Sequence, residues 1–102
     1  MLFLTYWELN EGMPLEERLK AGQKLLSLGL FPPERVEVIR WDMTPDEWGI
    51  LILEAEDVAD VHKALSFWRL AGAGFFKMTK TAPVQPAQQA LSLLGEMMQS
   101  MV

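Results

Sequence analysis

The chain contains one histidine, His62, and no cysteine, so transition-metal chemistry has a single nitrogen donor to start from. His62 completes a site only with carboxylates such as Asp57 or Glu54, and neither a metal nor a cofactor is expected. As a general base it needs a pocket position, and one residue after Val61 on a helix it falls at the rim of the buried stripe. Four tryptophans, at positions 7, 41, 48 and 68, are dense for 102 residues. Each brings a wide apolar face and one N–H, which suits core and dimer packing or the walls of a pocket for a flat or long apolar ligand. Met78, Met97, Met98 and Met101 are flexible enough to mould to either. Charges inside strand-like segments are more informative, because a charge on a buried sheet must be paired or face a cavity. Arg40, Asp42, Glu54, Lys77 and Lys80 are such charges. Pointing inward, Arg40 would grip a carboxylate or enolate oxygen with its planar fork; pointing outward, it is a solubilising edge charge. Strand register decides between the two. No phosphate-cradling glycine loop, nucleophile elbow or zinc-binding histidine pair occurs. Gly72 and Gly74 lie between a helix and a strand, the reverse of the order a phosphate site requires.

These residues are positioned by seven segments. Residues 1–8 are aromatic and aliphatic and are closed by Asn10-Glu11-Gly12, which reads as a strand and a turn. Residues 14–28 carry Leu15, Leu19, Gly22, Leu25, Leu26 and Leu28 at helical spacing, with Pro14 at the start and Gly29 at the stop. Glu16 and Lys20 form an i,i+4 pair on that helix. Phe31-Pro32-Pro33 prevents its continuation, and residues 35–43 alternate as a strand. The turn Thr44-Pro45-Asp46 joins it to the most apolar strand, residues 48–55, as an antiparallel hairpin. Asp57 caps a second helix whose buried stripe is Val58, Val61, Leu65 and Trp68, ended by Ala71-Gly72-Ala73-Gly74. Residues 75–82 form a fourth strand stopped by Pro83. Pro86 opens a last helix with the stripe Ala90, Leu91, Leu94, Met98 and Met101.

The order βαββαβ plus a helix predicts one α+β domain over residues 1–102, ferredoxin-like, with a four-stranded antiparallel sheet and two helices on one face. The opposite face is then bare. Ile50, Leu51, Ile52 and Leu53 place two large apolar residues on each side of the third strand, so both sides are expected to be covered. Hiding four such side chains is worth on the order of 6–12 kcal/mol. Two copies packed sheet to sheet would cover the bare face completely, and a homodimer is expected; the alternative is a monomer with the last helix laid across the sheet. The hydrophobic share of 50% requires a buried core, and Lys+Arg 9 against Asp+Glu 14, a net charge of -5, repels nucleic acid and anionic membranes. The run from Leu2 to Trp7 is too short for a leader or a membrane span, and a cytoplasmic location is expected.

The segment Trp41-Asp42-Met43-Thr44-Pro45-Asp46-Glu47-Trp48-Gly49-Ile50 resembles a short microbial family of unknown function in the dimeric α+β barrel group. Glu54-Ala55-Glu56-Asp57 entering a helix, Phe67-Trp68 late in it, and Phe75-Phe76-Lys77 in a strand ending near Pro83 carry the same resemblance. It implies two sheets forming a barrel, with small apolar ligands held between sheet and helices. The wider group includes haem-degrading oxygenases, cofactor-free monooxygenases and isomerase-like proteins. The haem-degrading branch uses an Asn in the first strand and a His after a Trp. Here the first strand lacks the Asn and His62 precedes Trp68, which argues against haem degradation. Trp7, Tyr6, Arg40 and Trp68 match the residue types of the cofactor-free monooxygenases without matching their order, and no catalytic role is carried over. The expected ligand-binding residues are Tyr6, Trp7, Arg40, Trp48, His62, Trp68 and Met78. The expected function is a homodimer binding a small apolar or amphipathic molecule. The alternatives are a cofactor-free monooxygenase or isomerase, and a purely structural or regulatory dimer.

Overall fold

A computed structural model describes residues 1–72 and 74–102; Ala73, part of the expected stop of the second helix, lies outside the described residues. The element order is β1 (Leu2–Leu9), α1 (Leu15–Ser27), β2 (Glu37–Met43), β3 (Trp48–Glu54), α2 (Val58–Ala71), β4 (Phe76–Val84) and α3 (Ala87–Ser100). The four strands form one antiparallel sheet in the order β2-β3-β1-β4, the ferredoxin-like arrangement with an additional C-terminal helix. Helices α1 and α2 pack against each other on one face of it.

Alternation along the central strands sorts the side chains into two layers. Phe3, Thr5 and Trp7 of β1 and Leu51 and Leu53 of β3 are buried under the helices, where they meet Val61, Ala64, Leu65 and Trp68 of α2. Thr5, fully buried, shares a 2.8 Å hydrogen bond with the Thr81 hydroxyl across the β1–β4 pair. The intervening residues Leu2, Leu4 and Tyr6 of β1 and Ile50 and Ile52 of β3 point to the other face and stay half-buried. No helix covers that face among the described residues. Helix α3 has no buried residue, and the molecule extends over 59 × 29 × 17 Å.

The helix ends follow the local chemistry. The Asp57 carboxylate accepts from the Asp60 backbone N–H at 3.2 Å and caps α2. At the end of α1 the Leu30 N–H donates to the Leu25 carbonyl and the Gly29 N–H to that of Leu26, closing a left-handed turn in which Gly29 has φ 68°. Glu16 and Lys20 pair at 3.3 Å, both exposed.

Three expectations are corrected. The buried face of α1 is Arg18, Ala21 and Leu25, whereas Leu15, Leu19, Leu26 and Leu28 are exposed. Trp68 supplies the reason: its ring lies 3.5 Å from where a Cβ on Gly22 would sit, so the crossing needs small residues and turns the leucines outward. Val58 is likewise exposed, and Ala64 takes its place in the buried stripe of α2. Finally, β4 does not stop at Pro83 but runs to Val84. It is an edge strand, where a residue lacking an N–H is tolerated if that position faces away from the partner.

Candidate functional site

Between the sheet and α2 lies an apolar cleft of about 220 Å³. Its deep walls are Trp7 and Leu51 from the sheet, Leu65 and Trp68 from α2, and Phe75; Leu9 and Phe76 close one end. Trp41 and Met43 line the remaining side. These two are 43% and 63% exposed while the deep walls are buried, so the mouth of the cleft is at the β2 end. Every lining side chain is apolar or aromatic.

Two irregularities in the sheet decide which side chains reach this cleft. In the β2–β3 ladder Val38 faces Leu53 and Arg40 faces Ile52, leaving Ile39 as an extra residue. Because faces alternate, that single insertion sends Arg40 to the open face and brings Trp41, opposite Leu51, under the helices. In the β1–β4 ladder Glu8 faces Met78 and Leu9 faces Phe76, so Lys77 is the extra residue there. Phe76 is thereby brought to the cleft beside Leu9 and Lys77 is left exposed. Both bulges place an aromatic ring in the cleft and keep a cation out of it. Re-aimed side chains beside a functional site are a common use of such bulges.

The rings form a continuous cluster. Trp41 and Trp68 meet edge-to-face with centroids 5.6 Å apart, and Phe31 wedges against both at 5.1 and 5.3 Å. Trp68 continues to Phe75 at 5.1 Å, and Phe75 to Phe76 at 5.0 Å. The Phe75 carbonyl accepts from the Asn10 N–H at 3.0 Å, and the Arg69 guanidinium lies 5.9 Å from the Phe76 ring centre while donating to the Thr79 hydroxyl at 2.8 Å. Trp7 crosses β3 at Gly49, where a Cβ would come within 2.6 Å of the indole ring. Its Nε1 is enclosed and has no acceptor among the described residues, a burial that costs about 1–3 kcal/mol.

A partly buried ion pair holds the β2–β3 turn at this end of the sheet. Arg18, only 8% exposed, donates from Nη2 to Glu47 Oε1 at 3.0 Å, and the Leu9 N–H donates to the Glu47 carbonyl at 3.0 Å. Glu47 has φ 63°, a left-handed conformation that these two contacts secure. Arg18 Nε and Nη1 find no partner among the described residues.

Of the residues expected to bind a ligand, Trp7 and Trp68 come together in the cleft. Tyr6, Arg40, Trp48 and Met78 fall by register on the open face of the sheet, with Tyr6 and Trp48 ring centres 5.7 Å apart. Desolvation, and then the hydrogen bond and charge of Glu8, hold the Tyr6 hydroxyl above its ordinary range. Arg40 is exposed and bonded to the Asp42 carboxylate, which keeps its guanidinium above the usual arginine range. His62 is exposed on the outer side of α2. No cluster of potential metal ligands occurs among the described residues. The expected ligand-binding set omitted Trp41, although the four tryptophans together read as packing or pocket walls, and it did not include Met43, Leu51, Leu65, Phe75 or Phe76. The alternation of β3 pointed to Leu51 and the helical stripe of α2 to Leu65, but nothing in the sequence marked the bulges that deliver Trp41 and Phe76.

No protein-family model matches the chain, and no curated protein sequence does. Among solved structures, the chain is similar to the X-ray crystal structure of protein Atu4242 from Agrobacterium tumefaciens. The two share 14% identity over 84% of this chain and 93% of that one, with a TM-score of 0.49. No helix among the described residues is long and apolar enough to cross a membrane.

Proposed function

We propose that the chain is a homodimeric protein of the dimeric α+β barrel type, each protomer binding a small apolar or amphipathic molecule between its sheet and α2. The cleft carries the reading. Its volume of about 220 Å³ exceeds that of a cavity of roughly 150 Å³ known to stay dry and take up benzene, and its walls are apolar throughout. None of the described wall residues is a carboxylate, imidazole or amine, so the cleft offers contact area and shape rather than proton transfer. A cofactor-free oxygenase or isomerase using Arg40 and His62 would have to act elsewhere, since Arg40 lies across the sheet and His62 on the outer side of α2.

The open face supports the dimer. Its aliphatic residues Leu2, Leu4, Ile50 and Ile52 are flanked by Tyr6, Trp48 and Val84; Glu8 and Glu54 stand at the ends of the central strands, Glu37, Arg40 and Asp42 along one edge and Lys80 near the other. An apolar centre with a charged margin is the composition of a specific interface. Strand neighbours already cover most of these four aliphatic residues, so hiding what remains gains at most about 2–4 kcal/mol, a third of what full burial would give.

Native mass spectrometry of the purified protein, gentle and then denaturing, tests both parts. The expected result is a particle of two chains that releases a low-mass molecule on denaturation or takes up added naphthalene. A single chain that neither releases nor accepts such a molecule contradicts the proposal.

A further inference from the structure

Binding of a small apolar molecule leaves open whether that molecule is a flexible chain, a saturated ring system or an aromatic one, and whether it is charged. We infer that the cleft selects a flat, uncharged aromatic molecule of about two fused rings; this rests on the binding role proposed above and narrows it. Three observations converge.

The first is the nature of the walls. Trp7, Trp41, Trp68, Phe75 and Phe76 all line the cleft, and the last four are linked ring to ring at centroid distances of 5.0–5.6 Å. The Trp41–Trp68 pair stands at 71° and the Phe75–Phe76 pair at 88°. Rings fixed near right angles offer both faces and edges to a guest. A planar π system gains offset-stacked or edge-to-face contacts from such walls, which a saturated guest of the same volume cannot make. The walls are also set in advance, because Trp7 is seated over Gly49 and Phe31 braces Trp41 and Trp68.

Size is the second. A cavity of about 220 Å³ is roughly half as large again as the engineered cavity of about 150 Å³ that holds one benzene ring. One additional fused ring fits that difference; a third has no room unless it protrudes past Met43 and Trp41 at the mouth.

Charge is the third. The bulges at Ile39 and Lys77 turn Arg40 and Lys77 away from the cleft, and no described lining residue carries a charge. A bound carboxylate would lose its hydration without finding a charged partner, since the unpaired donor that the walls hold, the Trp7 N–H, is neutral. The net charge of -5 adds a general repulsion of anions.

The test compares naphthalene, trans-decalin, n-octane and 2-naphthoate by ligand-observed NMR and calorimetry on the intact protein. The affinities of the three hydrocarbons are divided by each one's own partition coefficient between water and cyclohexane, and 2-naphthoate is compared with naphthalene directly by dissociation constant. Naphthalene is expected to bind about tenfold better than trans-decalin or n-octane on this scale, with ligand protons shifted upfield by the wall rings, and 2-naphthoate about a hundredfold more weakly than naphthalene. Trp41→Leu, at a half-exposed wall position, is expected to weaken naphthalene several-fold more than trans-decalin, because both guests lose contact area but only naphthalene loses a ring partner. If trans-decalin or n-octane binds as well as naphthalene, the aromatic selectivity is overturned while the apolar binding role stands. Equal binding of 2-naphthoate overturns the requirement for neutrality. If none of the four binds, the binding role falls as well.

Discussion

Gly49 carries more of the site than its size suggests. A methyl group there would lie 1.9 Å from the Asp42 carbonyl oxygen and 2.6 Å from the Trp7 ring, so only glycine lets β2 and the indole approach β3 together. Gly49→Ala is expected to cost about 2–3 kcal/mol in chemical denaturation and to displace Trp7, so that naphthalene binding is lost along with the stability. Glu47 is the second critical position. Glu47→Ala leaves the buried Arg18 guanidinium without its carboxylate and is expected to lower stability by about 2–3 kcal/mol, less than for a fully buried pair because Glu47 is one-third exposed. The double variant Arg18→Met, Glu47→Leu should recover most of that loss; a double variant as unstable as Glu47→Ala would show that the pair is not the cause. The sequence made parts of the site legible at this scale. Trp68 could be placed by its helical stripe and Trp7 by its strand. Gly49 could not be singled out, because the need for it arises from two side chains and a neighbouring strand that meet only in the fold. Arg18 was hidden for a related reason: a charge on a helix otherwise rich in leucine reads as solvent-facing until Glu47 is known to be its partner.

The elements themselves follow from patterns that short stretches of sequence express. Prolines 14 and 86 begin helices, Asp57 caps one, Gly29 closes another, and the unbroken apolar run of β3 announces a strand with two apolar faces. Which face each residue joins is a different matter, because one extra residue in a strand reverses everything beyond it. Ile39 is such a residue. Deleting Ile39 would restore regular pairing from Val38 to Leu53 and from Arg40 to Ile52 while keeping Trp41 opposite Leu51. The deletion is therefore expected to change stability by no more than about 1 kcal/mol and to preserve the cleft, whereas a one-residue deletion from β3 should abolish folding. Thermal unfolding of the two deletion variants decides this; equal damage from both would contradict the bulge assignment. The α1–α2 crossing gives a second check. A Cβ at Gly22 would stand 3.5 Å from Trp68, ordinary contact distance, so Gly22→Ala should raise stability by about 0.5–1 kcal/mol through helix propensity alone. The leucine spacing of α1 marks Leu25 correctly but also Leu15, Leu19, Leu26 and Leu28, because hydrophobicity alone does not register the bulk of Trp68 on the facing helix.

In the molecule as a whole, the sheet separates two tasks: the helix-covered side holds the cleft, and the proposed dimer uses the other. Tyr6 links the open face to pH. Its hydroxyl is held above the ordinary tyrosine range, so the protonated form favours the folded state; that contribution is complete below the unfolded value and is lost as pH rises through the folded one. Stability is expected to decline on the alkaline side, and Tyr6→Phe should flatten the decline, as a series of denaturation curves from neutral to strongly alkaline pH would register. Burial of Tyr6 against a second copy would add to the same effect, making the dimer dissociate over that range. Dimerisation is the claim on which the open face, the exposed Trp48 and the barrel architecture all depend. Sedimentation velocity across the micromolar range tests it most directly. The wild-type chain is predicted to sediment with the mass of two chains, and Ile52→Glu with the mass of one while keeping a cooperative melt. A wild-type protein that stays folded and sediments as a single chain at every concentration would contradict it.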